Sequence, residues 1–293
     1  MDSGKKRRLP EWIRVKVQPG KAKSEVDTIL KNLSLNTVCR SARCPNLHEC
    51  WQKRTATFMI LGNQCTRNCR FCAVSHAETF DLPDENEPEH IALAAEEMNL
   101  KFAVITSVTR DDLPDEGAGQ FVRTIAALKA RIPSIGIEVL TPDFNGDKVL
   151  LYRVLDAGPS VFNHNLETVE RLTPALRSRA TYARSLQVLK MASAYSGRTF
   201  LIKSGLMVGV GETDEEVKAT IKALYEHGVE LLTIGQYLPP GKGHYPLDRY
   251  VEPEQFEQWE RFALSLGFKG VASGPLVRSS YMADALSNEK VIK

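Results

Sequence analysis

From residue 56 onward, short apolar runs alternate with amphipathic stretches, and this alternation limits the possible folds more than any other feature of the chain. The runs are TATFMILG, FAVITSV, IGIEVL, SVFNHN, TFLIKSGL, LLTIGQY and FKGVASG. Each is short and rich in Val, Ile, Leu, Phe or Thr, as buried parallel strands are. The stretches between them have helical periodicity. In EPEHIALAAEEMNL, Ile91, Ala94, Ala95 and Met98 share one face, and in GQFVRTIAALKARI, Phe121, Ile125 and Leu128 do. ETDEEVKATIKALYEHG opens with Thr213 and Glu216 at capping-box spacing, has Val217, Ile221 and Leu224 as its apolar face, and stops at Gly228. PEQFEQWERFALSLG starts at Pro253, turns Phe256, Trp259 and Leu266 inward, and ends at Gly267. This pattern predicts an α/β fold, a partial (β/α)6-type TIM barrel, with a doubly wound open sheet as the alternative.

The expected division is an N-terminal extension over 1–55, the barrel over 56–274 and a C-terminal segment over 275–293. A chain of 293 residues, 43% hydrophobic and 25% charged, suits one such domain in a soluble protein. A net charge of +2 gives no general attraction to nucleic acid. No apolar run is long enough to cross a membrane. The basic start, MDSGKKRRLPEWIRVKVQPGKAK, is not followed by an apolar segment of the secretory kind. A cytoplasmic location is therefore expected. The basic start reads as a solvated tail or as a docking surface for an acidic partner, with Arg7, Arg8 and Arg14 as candidates.

Polar or special residues follow the strands repeatedly, as in TSVTRDD, TPDFNG, NHNLET, KSGLMVGVGET, QYLPPGKG and SGPLVRSSY. In parallel barrels the C-terminal strand ends form the active face. The stretch CTRNCRFC, Cys65 to Cys72, follows the first strand and so belongs to that face.

All six cysteines lie between Cys39 and Cys72, in two trios. Disulfides are rare in a reducing compartment and unnecessary in a chain this long, so ligation is the better reading. Zinc would need a fourth ligand, with His48 and His76 as the candidates. Three thiolates on a four-iron cluster would instead leave one iron open to a small molecule.

C-x3-C-x2-C at Cys65, Cys69 and Cys72, after the first strand and with Phe71 before the last cysteine, resembles the signature of radical S-adenosylmethionine (SAM) enzymes. The resemblance implies a [4Fe–4S] cluster on these three residues, with SAM chelated by the open iron. Reductive cleavage of SAM would then give a 5′-deoxyadenosyl radical that removes hydrogen from an unactivated carbon. The protein would bind, orient and shield the cofactor.

The upstream trio, CRSARCPNLHEC, has the spacing C-x4-C-x5-C at Cys39, Cys44 and Cys50. Together with RSSY at Arg278 to Tyr281, NHNLET, KSGLMVGVGET and QYLPP, it resembles the lipoyl synthase family over roughly residues 37 to 285. That resemblance implies a second [4Fe–4S] cluster, an auxiliary one, on Cys39, Cys44 and Cys50, with a serine of RSSY as fourth ligand. Ser280 is the candidate, with Ser279 as its neighbour. Alone, such a serine would read as a helix cap before YMADAL. Alkoxide suits an iron–sulfide cluster less well than thiolate, which fits a cluster dismantled as sulfur donor.

The reaction implied is insertion of two sulfur atoms at C6 and C8 of an octanoyl-lysine. The implied partners are an octanoylated lipoyl carrier protein or domain, as in a 2-oxoacid dehydrogenase E2 or the glycine cleavage H protein, and a reductant such as ferredoxin or flavodoxin. The rivals are a methylthiotransferase, a biotin-synthase-like enzyme and a non-catalytic iron–sulfur carrier. Thr106 and Ser107 are candidates for the cofactor's amino group, with a polar turn as their plain alternative. Asn163, Asn165 and Glu167 are candidates for its ribose or methionine end, and His164 should point the other way as a packed histidine. Gly205, Gly209 and Gly211 permit close backbone approach, and Gly209 is taken as cofactor-binding. Lys203 faces a carboxylate or lies solvated at the rim, and Arg278 is a candidate shield of the auxiliary cluster.

Overall fold

The computed structural model describes residues 9–14, 21–53, 55–280 and 283. Helix α1 (Lys21–Asn32) precedes strand β1 (Thr57–Ile60). There follow α2 (Glu87–Glu97), β2 (Phe102–Ser107), α3 (Ala118–Arg131), β3 (Gly136–Leu140), α4 (Lys148–Asp156) and β4 (Val161–Asn163). The series closes with α5 (Tyr182–Ser193), β5 (Leu201–Val208), α6 (Asp214–Glu226), β6 (Leu231–Gln236), α7 (Pro253–Leu266) and β7 (Gly270–Gly274).

The sheet runs β1 to β7 in chain order, and every neighbouring pair is parallel. A doubly wound sheet reverses its order at a switch point. None occurs here, and each helix from α2 to α7 packs beside the next. Right-handed crossovers in one unbroken direction keep all helices on one side and curl the sheet into a partial barrel. It has seven strands and so six crossovers.

The expected helix faces are buried: Ile91, Phe121, Ile125, Leu128, Val217, Ile221, Phe256 and Trp259 are all at most 1% exposed. Thr213 and Glu216 form the full capping box of α6. Gly267, at φ +109°, ends α7, and Pro253 opens it. Leu266 is only partly buried, because it lies in the last turn of α7, where the packed face runs out.

Strand alternation divides the sheet into two faces. Ile137, Val139, Phe162 and Ile202 pack toward the helices, while Glu138, Asn163 and Lys203 share the inner face. Farther along the strands, Gly205, Met207, Thr233 and Gly235 continue the inner face to the C-terminal end. Among the described residues, no helix is long and apolar enough to cross a membrane.

Candidate functional site

Immediately after β1, Leu61 and Gly62 turn the chain with φ of +68° and +88°. The buried Glu87 carboxylate accepts the Leu61 N–H at 3.0 Å and the Gln120 side-chain amide at 2.8 Å, which fixes that turn. Cys65 then pairs in parallel with His76 in a two-residue ladder. Its Sγ accepts N–H groups from Arg67 at 3.4 Å and Thr109 at 3.3 Å. The loop is held further on by Asn68 N–H to Ser178 Oγ at 3.1 Å and Arg70 N–H to the Leu176 carbonyl at 2.8 Å. Cys72 donates its N–H to the Cys69 carbonyl at 3.0 Å. Burial pushes the Cys72 thiol up to about 12, with Cys69, Cys65 and Glu167 adding repulsion.

The upstream trio is built differently. Asn36 and Thr37 run along the free edge of β1, where the Asn36 carbonyl accepts the Met59 N–H at 2.9 Å and Thr37 bridges Phe58. Thr37 caps the short helix Val38–Ser41, which carries Cys39. Cys44 lies in the following turn, and Cys50 in the helix Leu47–Gln52. Burial raises Cys39 and Cys44, and takes Cys50 to about 12 with repulsion from the other two. The Arg278 guanidinium, close enough to Cys44 to oppose that rise, shows where the C-terminal segment lies.

Two further contacts hold the segment there. Asn46 donates its amide to the Leu276 carbonyl at 2.7 Å. The Val277 carbonyl crosses β6 at Gly235, where a Cβ would sit 2.1 Å from it. Ser279 reaches the cavity described below and Ser280 follows it directly; Tyr281, and the segment after it apart from Ala283, lie outside the described residues.

One cavity of about 330 Å³ is bounded by both cysteine loops. Arg43 and Pro45 line it from the upstream trio, and Phe71 and Cys72 from the downstream one. Asn165, Glu167 and Gly205 close the barrel side, and Arg278 and Ser279 the C-terminal side. The remaining wall is largely apolar, with Leu206, Met207, Leu238 and Val277. Small-molecule sites span roughly 300–1,000 Å³.

Cys72, Asn165, Glu167 and Arg278 therefore meet at one cavity, and Asn163 and Lys203 lie below it. Lys203 is fully buried, with Nζ 2.9 Å from Glu138 Oε2, so the rim alternative does not hold. Glu138 also accepts the Asn163 amide at 2.8 Å. Thr106 faces inward but donates its hydroxyl to the Leu140 carbonyl at 3.0 Å, and Ser107 alternates to the other face. Gly209 does not line the cavity. It forms a turn at φ +95°, with its N–H 2.7 Å from Glu212, and any Cβ there would strike Gln236. Of the three candidate glycines Gly205 is the one at the site, and a Cβ on it would lie 2.8 Å from Asn165 Oδ1. His164 points away as expected, its ring nitrogens 3.0 Å from the Thr141 carbonyl and 3.0 Å from Ser185 Oγ. Arg14 is exposed and bonds the Leu9 carbonyl, while Arg7 and Arg8 lie outside the described residues.

The site fits iron–sulfur clusters and a polar ligand. All six cysteines are free thiols. Each trio brings repelling thiols together under burial, and metal ions would supply the missing positive charge. Asn163 Oδ1 and Asn165 Oδ1, at the end of β4, are buried without a hydrogen-bond partner. Buried polar atoms in that state imply a missing partner.

Sequence reasoning missed three groups. Arg67, inside the C-x3-C-x2-C motif, is buried between Asp111 and Asp143. Arg177, near Glu167 and Cys69, donates to Ser185 Oγ at 2.8 Å. Thr141 has a buried hydroxyl without a partner just beyond β3. Only Arg67 had a local signal, a charge set between two ligands.

The profile of the Radical SAM superfamily matches residues 59–224, and that of the N-terminal domain of lipoyl synthase matches residues 1–44. Lipoyl synthase of Caldicellulosiruptor saccharolyticus is 51% identical over 275 residues, covering 94% of this chain and 96% of its own. Lipoyl synthase of Rubrobacter xylanophilus is 52% identical over 274 residues, covering 94% and 85%. Among solved structures, the FeFe-hydrogenase maturase HydG from Carboxydothermus hydrogenoformans superposes with a TM-score of 0.57 at 14% identity, over 92% of this chain and 78% of its own. Methylornithine synthase gives 0.53 at 14%, over 88% and 84%. Those two likenesses establish the fold, and the half-identical relatives establish more: the chain belongs to the lipoyl synthase family of the radical SAM superfamily.

Proposed function

We propose that Cys65, Cys69 and Cys72 hold the cluster that binds SAM, and that Cys39, Cys44, Cys50 and Ser280 hold the auxiliary cluster that gives up sulfur. Family membership makes the chain a radical SAM sulfurtransferase with two [4Fe–4S] clusters and SAM as cofactors. Its substrate is a protein-bound octanoyl group, and it draws on an external reductant. When bound, the cofactors supply the radical that removes hydrogen at C6 and C8 and the sulfur that replaces it.

The observation that carries the reading is the cavity bounded by both cysteine loops, where an acyl chain would lie beside Cys72 and beside Arg43 and Pro45, the neighbours of Cys44. Leu206, Met207, Leu238 and Val277 hold that chain and keep water from it. Asn163 and Asn165 offer buried oxygens to the amino and hydroxyl groups of SAM. Glu167, whose carboxyl is raised by burial against the pull of Arg177 and Asn165, lines the same wall. Lys203 acts through Glu138 on Asn163, and Gly209 shapes the turn behind β5. Exposed Arg43 gives the cavity a positive edge suited to an acidic carrier domain, and Arg278, beside Cys44, shields the auxiliary cluster. The same proposal takes residues 1–55, 56–274 and 275–293 as extension, barrel and closing segment. It takes an E2 domain or H protein as carrier, ferredoxin or flavodoxin as electron donor, and the reducing cytoplasm as location.

The test is anaerobic reaction with SAM, a strong reductant and an octanoyl-lysyl peptide. The expected products are 5′-deoxyadenosine and a sulfur-bearing peptide, from protein holding about eight irons per chain. In the same assay Ser280→Ala should lose the sulfur product and Ser279→Ala should keep it. Loaded, reduced protein that makes neither product would defeat the assignment.

A further inference from the structure

We infer that Arg67 is a positioning residue: its guanidinium, clamped in a buried acidic socket, sets the loop between Cys65 and Cys69 into its ligand-holding form. The inference rests on the assignment of these cysteines to the SAM-binding cluster.

The loop has little regular structure beyond the short ladder at Cys65, so something else must fix its thiols. Ordering such a loop costs backbone entropy that its contacts must offset. Arg67 supplies the fastening. Its Nε lies 3.0 Å and its Nη2 2.7 Å from the two oxygens of Asp111, a fork-shaped pair. The same Nη2 lies 2.8 Å from Asp143 Oδ1. The side chain is 4% exposed, that of Asp111 9% and that of Asp143 not at all. Arg184 approaches Asp143 from behind at 3.2 Å, and Asn145 joins Asp111 to Glu116. Asp111 follows β2, and Asp143 follows β3. The loop is therefore anchored to two neighbouring strand ends through one side chain.

The neighbouring backbone is tied into the same knot. Thr66 donates its N–H to the Thr109 carbonyl at 3.0 Å and its hydroxyl to Asp111 at 2.8 Å. Thr109 and Arg67 are the two residues whose N–H groups reach Cys65 Sγ. The socket thus controls not only where Cys65 sits but also how its sulfur is hydrogen-bonded. Hydrogen bonds to ligand sulfur favour the more negative, reduced state of a cluster and raise its potential. A buried ion pair adds little net stability over an apolar filling, so fixed geometry is the reason to keep one here.

Lysine keeps the charge of Arg67 but cannot form the fork or reach both aspartates. The experiment uses the full chain with both clusters loaded, comparing the natural protein with Arg67→Lys and Asp143→Asn. Iron per chain, chelator-driven loss from each cluster, and the midpoint potential of the SAM-binding cluster are measured, with circular dichroism to confirm folding. Both variants should lose iron from the Cys65 trio while keeping the auxiliary cluster, falling from about eight irons to about four. Any SAM-binding cluster that remains should have a lower potential. Full iron with an unchanged potential would overturn the inference, and so would equal loss from both trios. If Asp143→Asn does not fold, Arg67→Lys decides the matter on the same readouts. Absence of iron on the Cys65 trio in the natural protein would instead defeat the cluster assignment itself.

Discussion

Cys65, Cys69 and Cys72 lie on a loop fastened by charge to adjacent strand ends, whereas Cys39 and Cys50 lie on short helices fastened to the far end of the chain. The first arrangement is local to the barrel. Every residue that holds it belongs to the barrel or its strand-end loops. The second arrangement depends on the edge of β1, on Asn46 meeting Leu276 and on Gly235 admitting Val277. The contrast suits the two tasks proposed for them. A cluster that works repeatedly benefits from a rigid cradle, and a cluster that is consumed needs a cradle that can be taken apart and refilled.

The sharpest way to break the comparison is to remove one thiol from each trio. Cys69→Ser should lower 5′-deoxyadenosine formation on the order of a hundredfold or more. Cys44→Ser should leave that first cleavage largely intact and lose the sulfur-bearing peptide. Equal loss of both products in both variants, measured by mass spectrometry, would show that the trios are not separable.

A smaller effect isolates the C-terminal tie. Gly235→Ala would put a Cβ 2.1 Å from the Val277 carbonyl, so the crossing segment must move. The strain should cost about 1–3 kcal/mol. Iron should leave the upstream trio while the downstream trio stays loaded, as read by iron analysis and thermal melting. Unchanged iron on both would mean that the segment does not hold the auxiliary site.

Another effect concerns acid, and it acts on folding stability with both trios left intact. Burial, with Arg177 nearby, holds His164 at about 4, below its ordinary value near 6.5. The neutral ring is what the Thr141 and Ser185 contacts accept. Because the unfolded chain binds the proton more readily, this contribution is complete above about pH 6.5 and is lost as pH falls toward 4. It amounts to roughly 3 kcal/mol. Urea unfolding at pH 7 and pH 5 should show the loss, and a His164→Gln chain should show less of it. His164 lies behind the Asn163–Glu167 wall, so the barrel half is where acid sensitivity should appear.

Much of this was legible in the sequence because it depends on local patterns. The seven apolar runs became seven strands in chain order, and the capping spacing at Thr213 and Glu216 became a capping box. The polar strand ends also gave the active face. What stayed hidden joins residues far apart. Nothing near Lys203 announces Glu138, and nothing near Gly235 announces Val277. Gly209 and Gly205 look alike in KSGLMVGVGET, and only the position of Asn165 shows which one borders the cavity. Arg67 is intermediate: its place between two cysteines is visible, but its aspartates come from separate strand ends.

The hydrogen bond between Asn46 and Leu276 also bears on how the molecule is made. A ribosome produces Asn46 and the upstream cysteines 230 residues before Leu276. Barrel domains fold as their strands emerge, so the Cys65 loop can find Asp111 and Asp143 while synthesis continues. The contact that closes the upstream trio must wait until Leu276 has emerged. A nascent product that stops short of Leu276 would have the Cys65 loop finished and the upstream trio open, which sets the earliest moment at which iron–sulfur delivery to that trio can succeed.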